Sequence, residues 1–323
     1  MIISRTPFRI SFAGGGTDLA AFYRGEPGAV LSTAIDKYMY VTVNKYFEDK
    51  IILKYSKTEE VSHIRNVEHP LLKEAMKITG NTRGVEITSM ADIVGGTGLG
   101  SSSSFTVGAL HALHAFKGRY TPASQLASEA CEIEIERVKE PIGKQDQYIA
   151  AYGGFRFIEF MPDETVRVTP IICPPGKLKS LGNNLLLFYT GKTRRASTIL
   201  KGMRSNMGRK QADMRELRGL ADEARRQLQE GSVNRFGELL HEGWLLKRSL
   251  HSGISNTDID RVYGRARKAG AEGGKILGAG GGGFLLLYVR RQNQAKVRKA
   301  MRGWREVSFG FEPEGSKIIH LAR

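Results

Sequence analysis

The sequence predicts an α+β protein of two domains, and three observations carry that expectation. Runs rich in β-branched and aromatic residues alternate with helical apolar spacings in both halves of the chain. A segment with a Pro-Pro-Gly turn, CPPGKLKSLGNN from Cys173 to Asn184, reads as the connector between the halves. A length of 323 residues also suffices for two ordinary cores. The expected division is 1–175 and 176–323.

The elements run in this order. RISFA, AVLSTAID and YMYVTVNKY have strand composition, and VEITSM alternates ahead of a glycine-rich stretch. SFTVGALHALHAF is a helix with Leu110, Leu113 and Phe116 on one side. Thr121-Pro122 supplies a cap and a first-position proline for the helix ASQLASEACEIEIERVK. Beyond the connector, NLLLFYTG is a strand, helices continue to about Leu250, and another spans Asp258 to Lys268. Strand FLLLYV, helix QAKVRKAMRGW and the short strands EVSFGF and KIIHL complete the chain.

Composition narrows the function classes. Apolar residues make up 41% and charged residues 25%, which excludes global disorder. No apolar run approaches the ~20 residues that span a bilayer. The opening MIISRTPFRISF has neither the apolar stretch nor the cleavage site of a signal peptide. A cytoplasmic protein with no membrane partner is expected. Cys131 and Cys173 are lone and distant, so neither a disulfide framework nor a CxxC site is indicated.

The net charge of +16 raises the question of nucleic acid. Much of the excess lies between Lys201 and Gln229, where Met203, Met207, Met214, Leu217, Leu220, Ala224 and Leu228 recur at near-helical spacing. The basic residues there read as the solvated face of an amphipathic helix. No RNP-like strand or zinc knuckle accompanies them, so no nucleic-acid partner is expected. Anionic small substrates are a second use for the charge.

Three glycine-rich segments carry the chemistry. VGGTGLGSSSS, Val94 to Ser104, sits between a strand and a helix, where backbone N–H groups and a helix N-terminus can cradle phosphate. Serine hydroxyls there can bond phosphate or complete Mg²⁺ coordination. The spacing resembles a Walker A loop without its lysine, so a P-loop NTPase is excluded. GAGGGGF, Gly278 to Phe284, matches GxGxxG but runs into a strand rather than a helix, which excludes a dinucleotide fingerprint. FAGGGTD, Phe12 to Asp18, succeeds a strand and ends in a carboxylate that could simply cap the next element.

Two further carboxylates stand out. Glu134 shares a helical line with Ala127, Ala130 and Val138. Such a group needs a partner, either a metal ion or a nearby Arg or Lys at the rim. Asp146 in IGKQDQYIAAYGG could cap the helix QYIAAYG or take part in chemistry.

Taken together, PFRISFAGGGTD, GGTGLGSSSS and GAGGGGF resemble, in order, the three motifs of the GHMP kinase superfamily. EPIGKQDQY resembles its segment bearing a catalytic Asp, and the twelve-residue separation of Glu134 and Asp146 matches the family's spacing. Within the superfamily, GAVLSTAIDKYMYVTV, GKQDQYIAAYGG and LLFYTGKTRRASTIL are similar to kinases acting on manno-heptose 7-phosphate, with fucokinases as near relatives. The resemblance implies a ribosomal protein S5 domain 2-like N-terminal domain, a ferredoxin-like C-terminal domain and a site between them. It implies ATP and Mg²⁺ as cofactors and an anomeric sugar hydroxyl as acceptor.

The resemblance also distributes roles. Gly96, Thr97, Gly98, Leu99, Gly100, Ser101, Ser102 and Ser103 are expected on the ATP phosphates, and Ser102 with Glu134 on Mg²⁺. Asp146 would accept or orient the acceptor proton, with Arg9 fixing it. Asp18, Gly15, Gly16 and Gly281 are expected on the sugar. Lys144, Lys192, Arg194 and Arg195 are candidates for the substrate's own phosphate, at least two of them being expected to be merely solvated. A free-sugar kinase is the nearer rival reading, and an RNA-binding protein the remote one.

Overall fold

The computed structural model describes residues 1–193 and 196–322, with the side chains of 196, 204–207 and 209 excepted. The first half comprises β1 (Ile2–Ala13), α1 (Ala20–Tyr23), β2 (Gly28–Lys45), β3 (Ile51–Lys54), β4 (Thr58–Val61), α2 (Pro70–Thr79), β5 (Val85–Ala91), α3 (Ser101–Phe116), α4 (Ala123–Cys131), α5 (Gln145–Tyr152), β6 (Phe155–Phe160) and β7 (Val166–Pro170). The second comprises α6 (Lys177–Asn183), β8 (Leu185–Tyr189), α7 (Ala196–Asn206), α8 (Gln211–Gln229), α9 (Phe236–Leu250), α10 (Thr257–Lys268), β9 (Gly273–Ile276), β10 (Phe284–Tyr288), α11 (Arg291–Ala300), β11 (Arg305–Glu306) and β12 (Lys317–Leu321).

Two long antiparallel strands organise the first sheet. AVLSTAID and YMYVTVNKY, expected as separate strands, form the continuous β2. It pairs β1 along its length, and a register shift between Pro7 and Phe8 absorbs the mismatch. Residues Gly28–Ile35 are buried without alternation, so both faces are covered there. Helices α3 and α8 pack against both strands. The eight-stranded sheet runs β12-β1-β2-β5-β3-β4, with β6 and β7 extending from the other end of β2. A second, antiparallel sheet runs β11-β8-β10-β9.

One expectation needs revision and two gain detail. The connector carries a short helix, α6, formed by KLKSLGN and burying Leu181. EVSFGF is not a full strand: only Arg305–Glu306 pairs β8, and Phe311 makes a single bridge to Ile35. KIIHL pairs β1, so the chain returns to the first sheet at its end. On these two sheets we propose the domain division near residue 175, with β12 belonging to the first.

The helix expected over ASQLASEACEIEIERVK is α only to Cys131 and then widens into a π turn over Glu132–Arg137. The Val138 N–H donates to the Ile133 carbonyl at 2.9 Å, a five-residue step. π turns recur at functional sites because they re-aim a side chain. Here Glu134 ends fully buried. The basic segment breaks over Met207–Lys210, after which α8 buries Met214, Leu217, Ala224 and Leu228 as expected of an amphipathic helix. Cys131 and Cys173 are free thiols. Among the described residues, no helix is long and apolar enough to cross a membrane.

Candidate active site

The end of β1 and the loop after it, the Val94–Ser104 stretch, the start of α5, and the β9–β10 loop surround a cavity of about 550 Å³. Arg9 lines it although only 4% exposed. Its guanidinium grips Asp146 through two parallel bonds of 2.7 Å and donates a third, of 2.6 Å, to the Gly98 carbonyl. The fork geometry suits a carboxylate and leaves arginine's plane no freedom to turn. Asp146, in the first turn of α5, is therefore no simple helix cap.

The glycine stretch is held from two sides. The Arg9 backbone N–H donates to the Leu99 carbonyl at 3.0 Å. Gly98 and Gly278 both have positive φ and lie face to face, so that a Cβ on Gly278 would come within 2.6 Å of the Gly98 Cα. The second and third glycine segments thus need glycine because they touch backbone to backbone. Gly96, Gly98, Gly100, Ser101, Ser102 and Ser103 line the cavity, whereas Thr97 and Leu99 are buried behind it. Helix α3 begins at Ser101 with no side-chain cap, so its first-turn N–H groups face the cavity with the positive end of the helix dipole.

Glu134 lies directly behind the serines. Its Oε1 accepts from Thr106 at 2.6 Å, and its Oε2 from Ser103 at 2.8 Å and Gln147 at 2.6 Å. The Ser102 hydroxyl is 3.5 Å from Oε1. No ion pair among the described residues includes Glu134, so the rim alternative with an Arg or Lys partner does not hold. Burial pushes its carboxyl up to about 7, with the Asp146 charge adding to the rise against the three hydrogen bonds. Carboxylate and hydroxyl oxygens are the donor type that suits a hard divalent ion, and Glu134 is the one carboxylate that the serines meet here, with no group of three or more His, Cys, Asp or Glu gathered among the described residues.

Asp18 closes the other end. Its Oδ1 accepts from the Gly16 N–H at 2.9 Å, and its Oδ2 from the Gln145 N–H at 3.3 Å and side-chain amide at 3.1 Å. Burial, then the Asp146 charge, raises its pKa against those bonds. Gly15 and Gly16 line the same end. Gly143 presses so closely on Asp18 that a Cβ there would lie 2.0 Å from Oδ2. On the role the resemblance implies for Asp18, Gly143→Ala should displace the carboxylate and raise the acceptor KM on the order of tenfold or more, leaving the ATP KM much less changed. Steady-state kinetics with each substrate varied reads the difference.

Other expected residues stand apart. Lys144 donates to Glu164 at 2.5 Å and lies over the Tyr23 ring. Lys192 pairs with Asp258 at 3.2 Å beside a separate cavity, which Gly281 also lines while its N–H donates to the Ile254 carbonyl. These side chains are committed to local carboxylates and the Gly281 amide to a local carbonyl, so none of the three faces the central cavity. Arg194 and Arg195 lie outside the described residues. Two lysines that the sequence reading passed over, Lys247 and Lys275, do line the central cavity. The signal for Lys275 was a charge embedded in an apolar strand, GGKIL.

Comparison with known proteins gives the family. The GHMP kinases N-terminal domain model matches residues 65–154 and the GHMP kinases C-terminal model residues 224–306, together more than half of the chain. The chain is 28% identical to a D-glycero-α-D-manno-heptose 7-phosphate kinase of Campylobacter jejuni, over 98% of each protein. It is 25% identical to the bifunctional fucokinase/GDP-fucose pyrophosphorylase of Arabidopsis thaliana, over 90% of this chain and 30% of that protein. A crystal structure of a D-glycero-D-manno-heptose 1-phosphate kinase from Bacteroides thetaiotaomicron shares the fold, with TM-score 0.83 and 23% identity over the full length of both. With both family models matched in order and the two-domain architecture in place, the chain belongs to the GHMP kinases.

Proposed function

We propose that this ATP-dependent kinase phosphorylates the anomeric hydroxyl of D-glycero-α-D-manno-heptose 7-phosphate. The product would be the 1,7-bisphosphate, a precursor of nucleotide-activated heptose for surface polysaccharide. The observation that carries the transfer chemistry is the Arg9–Asp146 pair set in one cavity with the phosphate-cradling stretch and Asp18. The heptose assignment is supported by the near full-length match to the Campylobacter jejuni kinase.

Phosphoryl transfer asks a protein mainly to align two oxygens and to neutralise spreading charge. The backbone from Gly96 to Ser103 and the uncapped start of α3 would hold the ATP phosphates. Ser102 and Glu134 would hold Mg²⁺, which when bound neutralises phosphate charge. Asp18 would take two sugar hydroxyls on its remaining lone pairs. Asp146, clamped by Arg9, would receive the hydrogen bond of the anomeric hydroxyl and fix its direction of attack. An anomeric hydroxyl is more acidic than an ordinary alcohol, so orientation is the larger part of that role.

A free-sugar acceptor is the second reading, favoured by the engagement of Lys144 and Lys192 with carboxylates. Release of ADP against a sugar panel decides between them. The proposal expects kcat/KM for manno-heptose 7-phosphate at least about tenfold above that for the unphosphorylated heptose, fucose or mannose, the factor expected of one well-bound charged group. Preference for an unphosphorylated sugar would keep the kinase and reject the heptose phosphate.

A further inference from the structure

We propose that Lys275 and Lys247 seat a phosphate monoester in the centre of the cavity, between the acceptor loop and the phosphate-cradling stretch. This rests on the proposed kinase activity and names a ligand contact for it. Lys275, on β9, is 5% exposed, and Lys247, on α9, is 6% exposed. Both face the cavity. The Lys275 ammonium donates to the Phe12 carbonyl at 2.9 Å, where β1 gives way to the loop bearing Asp18. The Lys247 ammonium donates to the carbonyl of Gly278, the residue packed on Gly98. The two side chains therefore tie two different segments of the cavity wall.

Packing alone does not account for them. A buried ammonium is costly unless paired, and a leucine or methionine would fill the same volume without that cost. Among the described residues, no ion pair includes Lys275, and a single carbonyl engages one of its three donors. Burial, then the charges of Lys247 and Arg9, push its pKa well below the ordinary lysine value. Arg9 is a cation and cannot neutralise the site, and its own donors are committed to Asp146 and Gly98. The Ser11 hydroxyl, 5% exposed, lines the same cavity and has no hydrogen-bond partner among the described residues. Clustered cationic donors and an unpaired hydroxyl are complementary to a dianion with several acceptor oxygens, which is the chemistry of a phosphate monoester. Two sources carry a terminal phosphate dianion of that kind into this cavity: the acceptor's own monoester and the terminal phosphate of ATP.

The test uses full-length Lys275→Met and Lys247→Met, with Lys275→Gln as a second variant should the methionine fail to fold. Folding is checked by circular dichroism. Kinetics are measured with manno-heptose 7-phosphate, with the unphosphorylated heptose and with ATP varied, and inorganic phosphate is titrated by calorimetry. Loss of one charge-assisted contact predicts a fall on the order of tenfold to a hundredfold in phosphate affinity and in one kcat/KM. A fall confined to the phosphorylated acceptor assigns the seat to the sugar's phosphate. A fall in kcat/KM for ATP with either acceptor assigns it to the nucleotide. Folded variants that stay within about twofold of wild type in every arm would overturn the proposal. If the wild type refuses heptose 7-phosphate, the acceptor assignment fails, while the ATP and inorganic-phosphate arms still test the lysines.

Discussion

Replacing Asp146 by alanine should lower kcat by about 10²–10⁴-fold, the usual span for a positioned proton acceptor. The residual rate reflects the phosphate cradle and the acceptor's own acidity, which the substitution leaves in place. The same change should lower stability by on the order of 3 kcal/mol, because it leaves the buried Arg9 guanidinium without its carboxylate. Asp146→Asn separates the two effects. Asparagine keeps one acceptor oxygen for Arg9, so its stability loss should be smaller, but it has no anionic oxygen for the acceptor hydroxyl and its kcat should stay low. Steady-state kinetics beside urea unfolding distinguishes them. A kcat within threefold of wild type in Asp146→Asn would remove Asp146 from the transfer step.

Glu134→Gln should give the second large loss, at least about a hundredfold in kcat, together with a change in pH dependence that a merely structural residue would not cause. The folded protein raises this carboxyl to about 7. Unfolded, it titrates near the ordinary value of 4.5. A carboxyl with a raised folded pKa binds more protons in the folded state, so its contribution to stability falls as pH rises. That fall should run from about pH 4.5 to about pH 7 and level off above, reaching at most on the order of 3 kcal/mol. Wild type minus Glu134→Gln should isolate this slope in thermal unfolding between pH 5 and pH 8. Mg²⁺ with ADP binds the ionised form, so it should raise the wild-type Tm more at pH 8 than at pH 6. Equal shifts at both pH values, or an undiminished shift in Glu134→Gln, would contradict the metal assignment.

The sequence carried the architecture further than the distances. Elements with strong periodicity or punctuation, such as α3, whose serines form its first turn, and β10 in FLLLYV, are found within a few residues of where their patterns put them. Elements set by long-range pairing are different. Whether AVLSTAID and YMYVTVNKY are one strand depends on β1 running beside both, and KIIHL joins the first sheet through a partner more than 300 residues away. The site shows the same division. The glycine segments announce close backbone approach, but only the fold reveals that the second and third press on each other at Gly98 and Gly278. Helical spacing put Glu134 among small residues, whereas its complete burial comes from a π turn that no local pattern marks. Lys247 and Lys275 were hidden for a related reason. A lysine on a helix or strand reads as solvated until both of its neighbouring layers are known.

The central claim is transfer of the ATP γ-phosphoryl group to the anomeric oxygen of a phosphorylated heptose. ³¹P NMR of the product of wild-type enzyme, ATP and manno-heptose 7-phosphate tests it most directly. The account predicts a second phosphorus resonance coupled to the anomeric proton, with the 7-phosphate signal retained, and its strong reduction over the same incubation when Asp146→Ala replaces wild type. A new phosphate on any other carbon, or no new phosphate ester at all, would contradict it.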